Sequence, residues 1–193
     1  DKNVAVGDGA LDANTTGNCN TAVGKDALDA NTTASYNTAL GFNSLTTNTS
    51  GNVNTAVGHA SAQQNTTGTN LVAVGARALE QNTTGSYNTA LGKNSLICNT
   101  TANNNTAVGY LSLCAKTNAL AQNTTAAGNT AVGFVTLRCS TTGADNTALG
   151  QYALNKNTTG NRNTATGVCS LSCNTTGCDN TAVGHKSLCL NTT

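Results

Sequence analysis

The sequence predicts an all-β fold: a parallel β-solenoid (β-roll) of eleven 17-residue coils that associates along its length. Three observations predict it. Of 193 residues, 36 are Thr and 30 are Asn, with 20 Gly and no Pro, Met or Trp. The string Asn-Thr-Ala-Val-Gly, or a close variant, begins at Asn3, Asn20, Asn37, Asn54, Leu71, Asn88, Asn105, Asn129, Asn146, Asn163 and Asn180. Every step is 17 residues except that from Asn105 to Asn129, which is 24 and so contains a seven-residue insertion near 114–120. A fixed short period is the mark of a repeat architecture, and it overrides any window-by-window reading.

Numbered from its first residue, the repeat reads N-T-A-(V/L)-G-x-x-(A/S)-L-x-x-N-T-T-(G/A)-x-x. The third position is Ala, the fifth Gly and the thirteenth Thr in all eleven copies, and the ninth is Leu in all but one, where Ala62 stands. Asn, Thr and Gly are poor helix formers, which argues against a helical repeat. A short period with β-branched residues and regular Gly suits one parallel coil per repeat. Coils stacked at ~4.8 Å would make a rod about 53 Å long. Residues 1–193 are read as a single array, a segment or subunit of a longer fibre.

The second copy stands for the others. Thr21-Ala22-Val23 is the expected strand, and Gly24 the expected corner, where a positive φ or a close backbone approach excludes a Cβ. Ala27-Leu28 is expected as a second short extended piece, with Leu28 pointing inward. Asn31-Thr32-Thr33-Ala34 reads as the second corner. Identical corners place like residues above one another, so Asn amides and Thr hydroxyls can bond up and down the stack. Neighbouring strand residues face opposite sides. Either Val23 packs inside with Leu28 and Ala22 lies outside, or Ala22 points into a narrow coil and Val23 lies outside. In both cases an apolar stripe runs the length of the rod, which points to association with another chain.

The runs Asn20-Thr-Ala-Val-Gly24, Ala27-Leu28 and Asn31-Thr-Thr33, with their copies, resemble the N-T-A-(V/I)-G-x-x-A-L-x-x-N-T-T-G repeats of tail-fibre-like proteins. More loosely, they are similar to the β-roll heads of trimeric autotransporter adhesins. The resemblance covers nearly the whole chain and implies trimeric β-rolls that act as shafts or adhesive heads on cell surfaces or virions. Eight cysteines set this chain apart from those repeats.

An even number of cysteines in an otherwise inert chain points to disulfides and an oxidising compartment. Cys98 and Cys114 occupy the eleventh and tenth positions of successive copies, and Cys173 and Cys189 repeat that relation. Stacked coils bring such residues within disulfide range, so these are the two expected bridges. Cys114 stands at the edge of the insertion, which makes its placement the less secure. Cys139 and Cys169 are two coils apart and are left unassigned. Cys19 and Cys178 lie nine coils apart and are candidates only for pairing between subunits. No Cys-x-x-Cys spacing occurs, so disulfides are preferred to a zinc site. The twelfth position forms an Asn-x-Ser/Thr sequon at Asn14, Asn31, Asn48, Asn65, Asn82, Asn99, Asn123, Asn157, Asn174 and Asn191, and Asn104 adds one more. These are candidates for N-glycosylation, against the alternative that the column is only a structural ladder.

Nine Lys and Arg against eight Asp and Glu, a net charge of +1, disfavour nucleic-acid binding by a basic surface. No apolar run approaches the ~18 residues of a membrane span. His59 and His185 lie in separate coils, and no paired carboxylates, phosphate loop or Ser/His/Asp grouping converges, so neither an enzyme nor a cofactor is expected. The expected role is a structural subunit of an extracellular filament or surface appendage, with a virion fibre included. It would be disulfide-stapled, a candidate for N-glycosylation, and assembled end to end from copies of itself. Two alternatives are an adhesin head that binds glycans or matrix, and an ice-binding protein that uses the Thr columns at positions two and thirteen. Val4 and Val72 interrupt the first of those columns.

Overall fold

A computed structural model describes residues 2–114 and 125–193. It contains eleven three-residue strands: β1 (Val4–Val6), β2 (Thr21–Val23), β3 (Thr38–Leu40), β4 (Thr55–Val57), β5 (Val72–Val74), β6 (Thr89–Leu91), β7 (Thr106–Val108), β8 (Thr130–Val132), β9 (Thr147–Leu149), β10 (Thr164–Thr166) and β11 (Thr181–Val183). They form one parallel sheet in chain order, each strand paired in register with the next, Ala over Ala. This is the β-solenoid that the repeat predicts. The register holds across the long step too, where Thr106 pairs with Thr130 and Ala107 with Ala131. Apart from Cys114, the insertion itself lies outside the described residues.

The strand faces resolve the two readings left open by the sequence. The Ala column is inside: Ala22, Ala39, Ala56, Ala73 and Ala90 are fully buried, against the Leu column of Leu28, Leu45, Leu79 and Leu96. Val23 and its equivalents face outward beside the Thr of the second position. The interior is too narrow for two branched side chains facing each other, so the smallest side chain takes the strand side and Leu takes the other. Coil four carries Ala62 in place of Leu, and the coil after it carries Leu71 in place of the first-position Asn. Both residues are buried in the core, one smaller and one larger than the common residue at its position.

The second half of the coil departs from expectation. Ala27-Leu28 is not extended. Leu28 has a φ of 52° and Asp26 one of 55°, and the same left-handed turn recurs in every described coil. A left-handed Leu costs about 1–2 kcal/mol. Burying the side chain contributes about 1.5–3 kcal/mol in return, and the Leu28 N–H donates to Ser44 O in the next coil at 3.0 Å. Gly24 is the corner that the sequence predicts: its φ is +133°, and a Cβ there would lie 2.5 Å from Gly41 O.

Two Asn columns hold the polar side of the interior. At the twelfth position Asn65 Nδ2 donates to Asn48 Oδ1 at 2.8 Å and to Gly68 O at 3.0 Å, while Asn82 Nδ2 donates to Asn65 Oδ1 at 2.8 Å. At the first position Asn37 Nδ2 donates across the coil to Gly51 O at 2.9 Å, and Asn37 Oδ1 accepts from the Asn54 N–H at 2.9 Å. Each amide thus closes its own coil and grips a neighbour.

Two outcomes follow. Asn65→Ala removes three buried hydrogen bonds and is expected to lower unfolding stability by about 2–4 kcal/mol, whereas outward Thr21→Ala changes it by under about 0.5 kcal/mol. Chemical denaturation monitored by circular dichroism checks both. Ala62→Leu alone and Leu71→Asn alone are each expected to destabilise, while the double variant, which restores the common coil, recovers at least about 1 kcal/mol of the summed loss. Additive losses in that cycle would show that the two sites do not share volume.

Candidate functional site

The outward surface divides by coil position. Strand residues at positions two and four, flanked by positions six and seventeen, form one face. On it lie Val6, Leu40, Val74, Leu91, Leu149 and Val183, all exposed. Aromatic side chains border it. Phe42 stacks on His59 with ring centroids 5.5 Å apart, and Tyr110 on Phe134 at 5.6 Å, along the position-six edge. Tyr36 and Tyr87 stand exposed on the position-seventeen edge. The remaining outward positions are mostly polar.

The Thr columns have different roles. At position thirteen, Thr49 Oγ1 donates to Thr66 O at 3.1 Å and Thr66 Oγ1 to Thr83 O at 3.0 Å, so these hydroxyls are part of the stack. At position two the hydroxyls point away from the coil. A third ladder, which sequence reasoning missed, runs along position sixteen. There the Asn18 N–H donates to Ser35 Oγ at 3.0 Å, the Ser35 N–H to Asn52 Oδ1 at 2.7 Å, and the Asn161 N–H to Cys178 Sγ at 3.3 Å. Apart from Ala127 and Ala144, the column mixes Asn, Ser, Thr and Cys. Their common property, a short side-chain acceptor, was the signal that could have found it.

The buried amides leave no room for the glycans expected at the twelfth position. Asn31, Asn48, Asn65, Asn82, Asn99, Asn157 and Asn174 are fully buried, and each Nδ2 is committed inside the stack. A glycan on that nitrogen would break the ladder and displace the next coil. Asn14 and Asn191 are half-buried in the same column, with Asn31 Nδ2 donating to Asn14 Oδ1 and Asn191 Nδ2 to Asn174 Oδ1. Asn123 lies outside the described residues. Asn104, at position seventeen, is exposed.

All eight cysteines are present as thiols. Cys98 and Cys114 are buried together with Ile97 in a small apolar cluster beside half-buried Leu111, and the two thiols hydrogen-bond to each other. That bond holds the Cys98 thiol below its ordinary range. The same bond and burial push Cys114 up. The second expected pair is arranged differently. The Cys173 N–H donates to Cys189 O at 3.2 Å, but Cys173 Sγ lies 3.9 Å from Lys156 Nζ, on the coil at the opposite side. Cys19 and Cys178 sit at opposite ends of the described stack, and Cys178 Sγ takes part in the position-sixteen ladder. Cys139 and Cys169 are half-buried in different coils.

Charged groups pair locally and on the surface. Arg77 meets Glu80 at 2.8 Å, and Arg162 binds Asp179 through Nε–Oδ1 at 2.7 Å, which holds the Asp179 carboxyl below the usual carboxylate range. Among the described residues no group of three or more His, Cys, Asp or Glu is placed to hold a metal ion, and no helix is long and apolar enough to cross a membrane. Comparison with protein-family models, curated proteins and solved structures gave no match to this chain.

Two measurements test the assignments. Expressed through a glycosylating secretory pathway, the chain is expected to carry no glycan on the seven fully buried sequons, with Asn104 the accessible acceptor. Glycopeptide mapping reads this directly, and occupancy at Asn65 would contradict the buried ladder. Under mild oxidation, peptide mapping is expected to find a Cys98–Cys114 cross-link before any Cys173–Cys189 cross-link, because only the first pair already has its sulfurs together.

Proposed function

We propose that the chain is a structural rod: a subunit of an extracellular filament or surface appendage whose coils continue end to end. The observation that carries this reading is the identity of the junctions. At all ten strand pairings the same three residue positions meet in the same register. The surface that one coil offers is therefore the surface the next coil requires, whether that coil belongs to the same chain or to another copy. Stability in such a stack is a sum of coil terms and nearest-neighbour terms, so lengthening it adds contacts without changing their kind.

The resemblance to tail-fibre-like repeats supports a shaft. The Cys98–Cys114 pair, whose thiols already meet, supports an oxidising, extracellular setting in which that bridge closes. Most polar side chains of the interior are committed to holding one coil on another, which suits a load-bearing element.

Electron microscopy tests the reading. Long particles with an axial layer repeat of ~4.8 Å are expected. Discrete short particles that bind a glycan or matrix ligand would overturn it in favour of an adhesive head. A second test acts on the ladder. A double Asn48→Ala, Asn65→Ala variant is expected to shorten the particles at a temperature where the parent forms long ones.

A further inference from the structure

We infer that the outward face of the sheet is a pairing surface for a second copy of this chain, laid side by side with the first. Three observations carry the inference, and none of them depends on whether rods also join end to end.

The first is the state of the sheet. The Leu column covers the inner face, and among the described residues nothing covers the outer one. The second is its chemistry and size. The outward strand side chains are Thr, Val and Leu throughout, with no charge on any strand. Eleven strands at ~4.8 Å, with outward positions spaced ~7 Å across the face, give a patch about 50 Å by 20 Å. That is about 1,000 Å², against the ~800 Å² per partner of a stable interface. The flanking columns carry charge, at Asp8, Lys25, Lys93, Asp145, Arg162 and Asp179, so the face is a strip of outward Val and Leu with a polar rim, the pattern of an interaction site.

The third observation selects the partner. Position four is Leu in β3, β6 and β9, as Leu40, Leu91 and Leu149, and a smaller residue in every other strand. The larger side chains recur every three coils, ~14 Å apart. This longer period has no role in the coil itself, because these residues point outward. A ridge repeating every three coils is commensurate with a surface of the same repeat, and another copy presents that surface. Leu side chains of one rod then settle over the smaller residues of its partner, which fixes the register between them. Two β-sheet faces packed in this way lie ~10 Å apart.

Mass per unit length, measured by scanning transmission electron microscopy, tests the inference independently of rod length. The unaltered chain is expected to give two chains per cross-section. A Val57→Lys, Leu91→Lys variant is expected to halve that value and to keep the same circular dichroism spectrum. Gln64→Lys, on an exposed position away from the face, is expected to leave it unchanged. One chain or three per cross-section in the unaltered protein would overturn the inference. So would a pair that survives the face variant. Single rods that shape ice crystals would assign the face to ice instead. Rods of normal length but half the mass per length would refute side pairing alone, whereas short rods of doubled mass per length would refute only end-to-end assembly.

Discussion

The structure depends on one constraint: the coil is too narrow to satisfy its own polar groups. With Ala on one wall and Leu on the other, the remaining interior is closed by Asn side chains whose amides have more hydrogen-bonding capacity than one coil can use. Each must reach an adjacent coil. A buried amide left without a partner costs on the order of 1–3 kcal/mol, so the requirement is strict. Stacking is thus the condition under which a coil exists at all. The Gly corner serves the same end, since Gly24 lets its backbone approach Gly41 more closely than any Cβ would permit.

The ladder also shows where the stack is weakest. The twelfth-position ladder of amides is described from Asn14 to Asn99 and again from Asn157 to Asn191; between them Asn123 lies outside the described residues and Ser140 replaces the Asn. Ser140 Oγ bonds only within its own turn, to Gly143 O at 3.2 Å, and Asn99 Oδ1 is buried without a partner. The Cys98–Cys114 contact joins the sixth and seventh coils beside Asn99, where two thiols and Ile97 supply apolar cohesion.

Much of this was legible in the sequence, for a physical reason. In a register-locked stack each residue type is repeated by its own copies, so a column reports its environment eleven times. The invariance of Ala22, Gly24 and Thr32 with their equivalents identified strand, corner and ladder. What stayed hidden were properties that identity does not encode. The sign of φ at Leu28 is not written in a leucine. The same ladder can form from Asn31 on the inside or the outside of a corner, so the sequence left open whether the sequons were buried. Whether Ala22 or Val23 faced inward depended on coil width, which only the assembled cross-section determines. The position-sixteen acceptors were missed because four residue types share one function there.

The preserved register between β7 and β8 has a wider meaning. Seven additional residues stand in the sequence between these strands, and Ala107 still pairs with Ala131. The cost of closing a connection rises only slowly with its length, so the rod tolerates added residues between strands far better than a substitution in its walls. Such a junction is a mounting point. Its height along the axis is set by counting coils and its direction by its place in the seventeen-residue turn. A rod built in this way is a graduated scale, on which anything carried between one pair of strands is held at a known distance from anything carried between another.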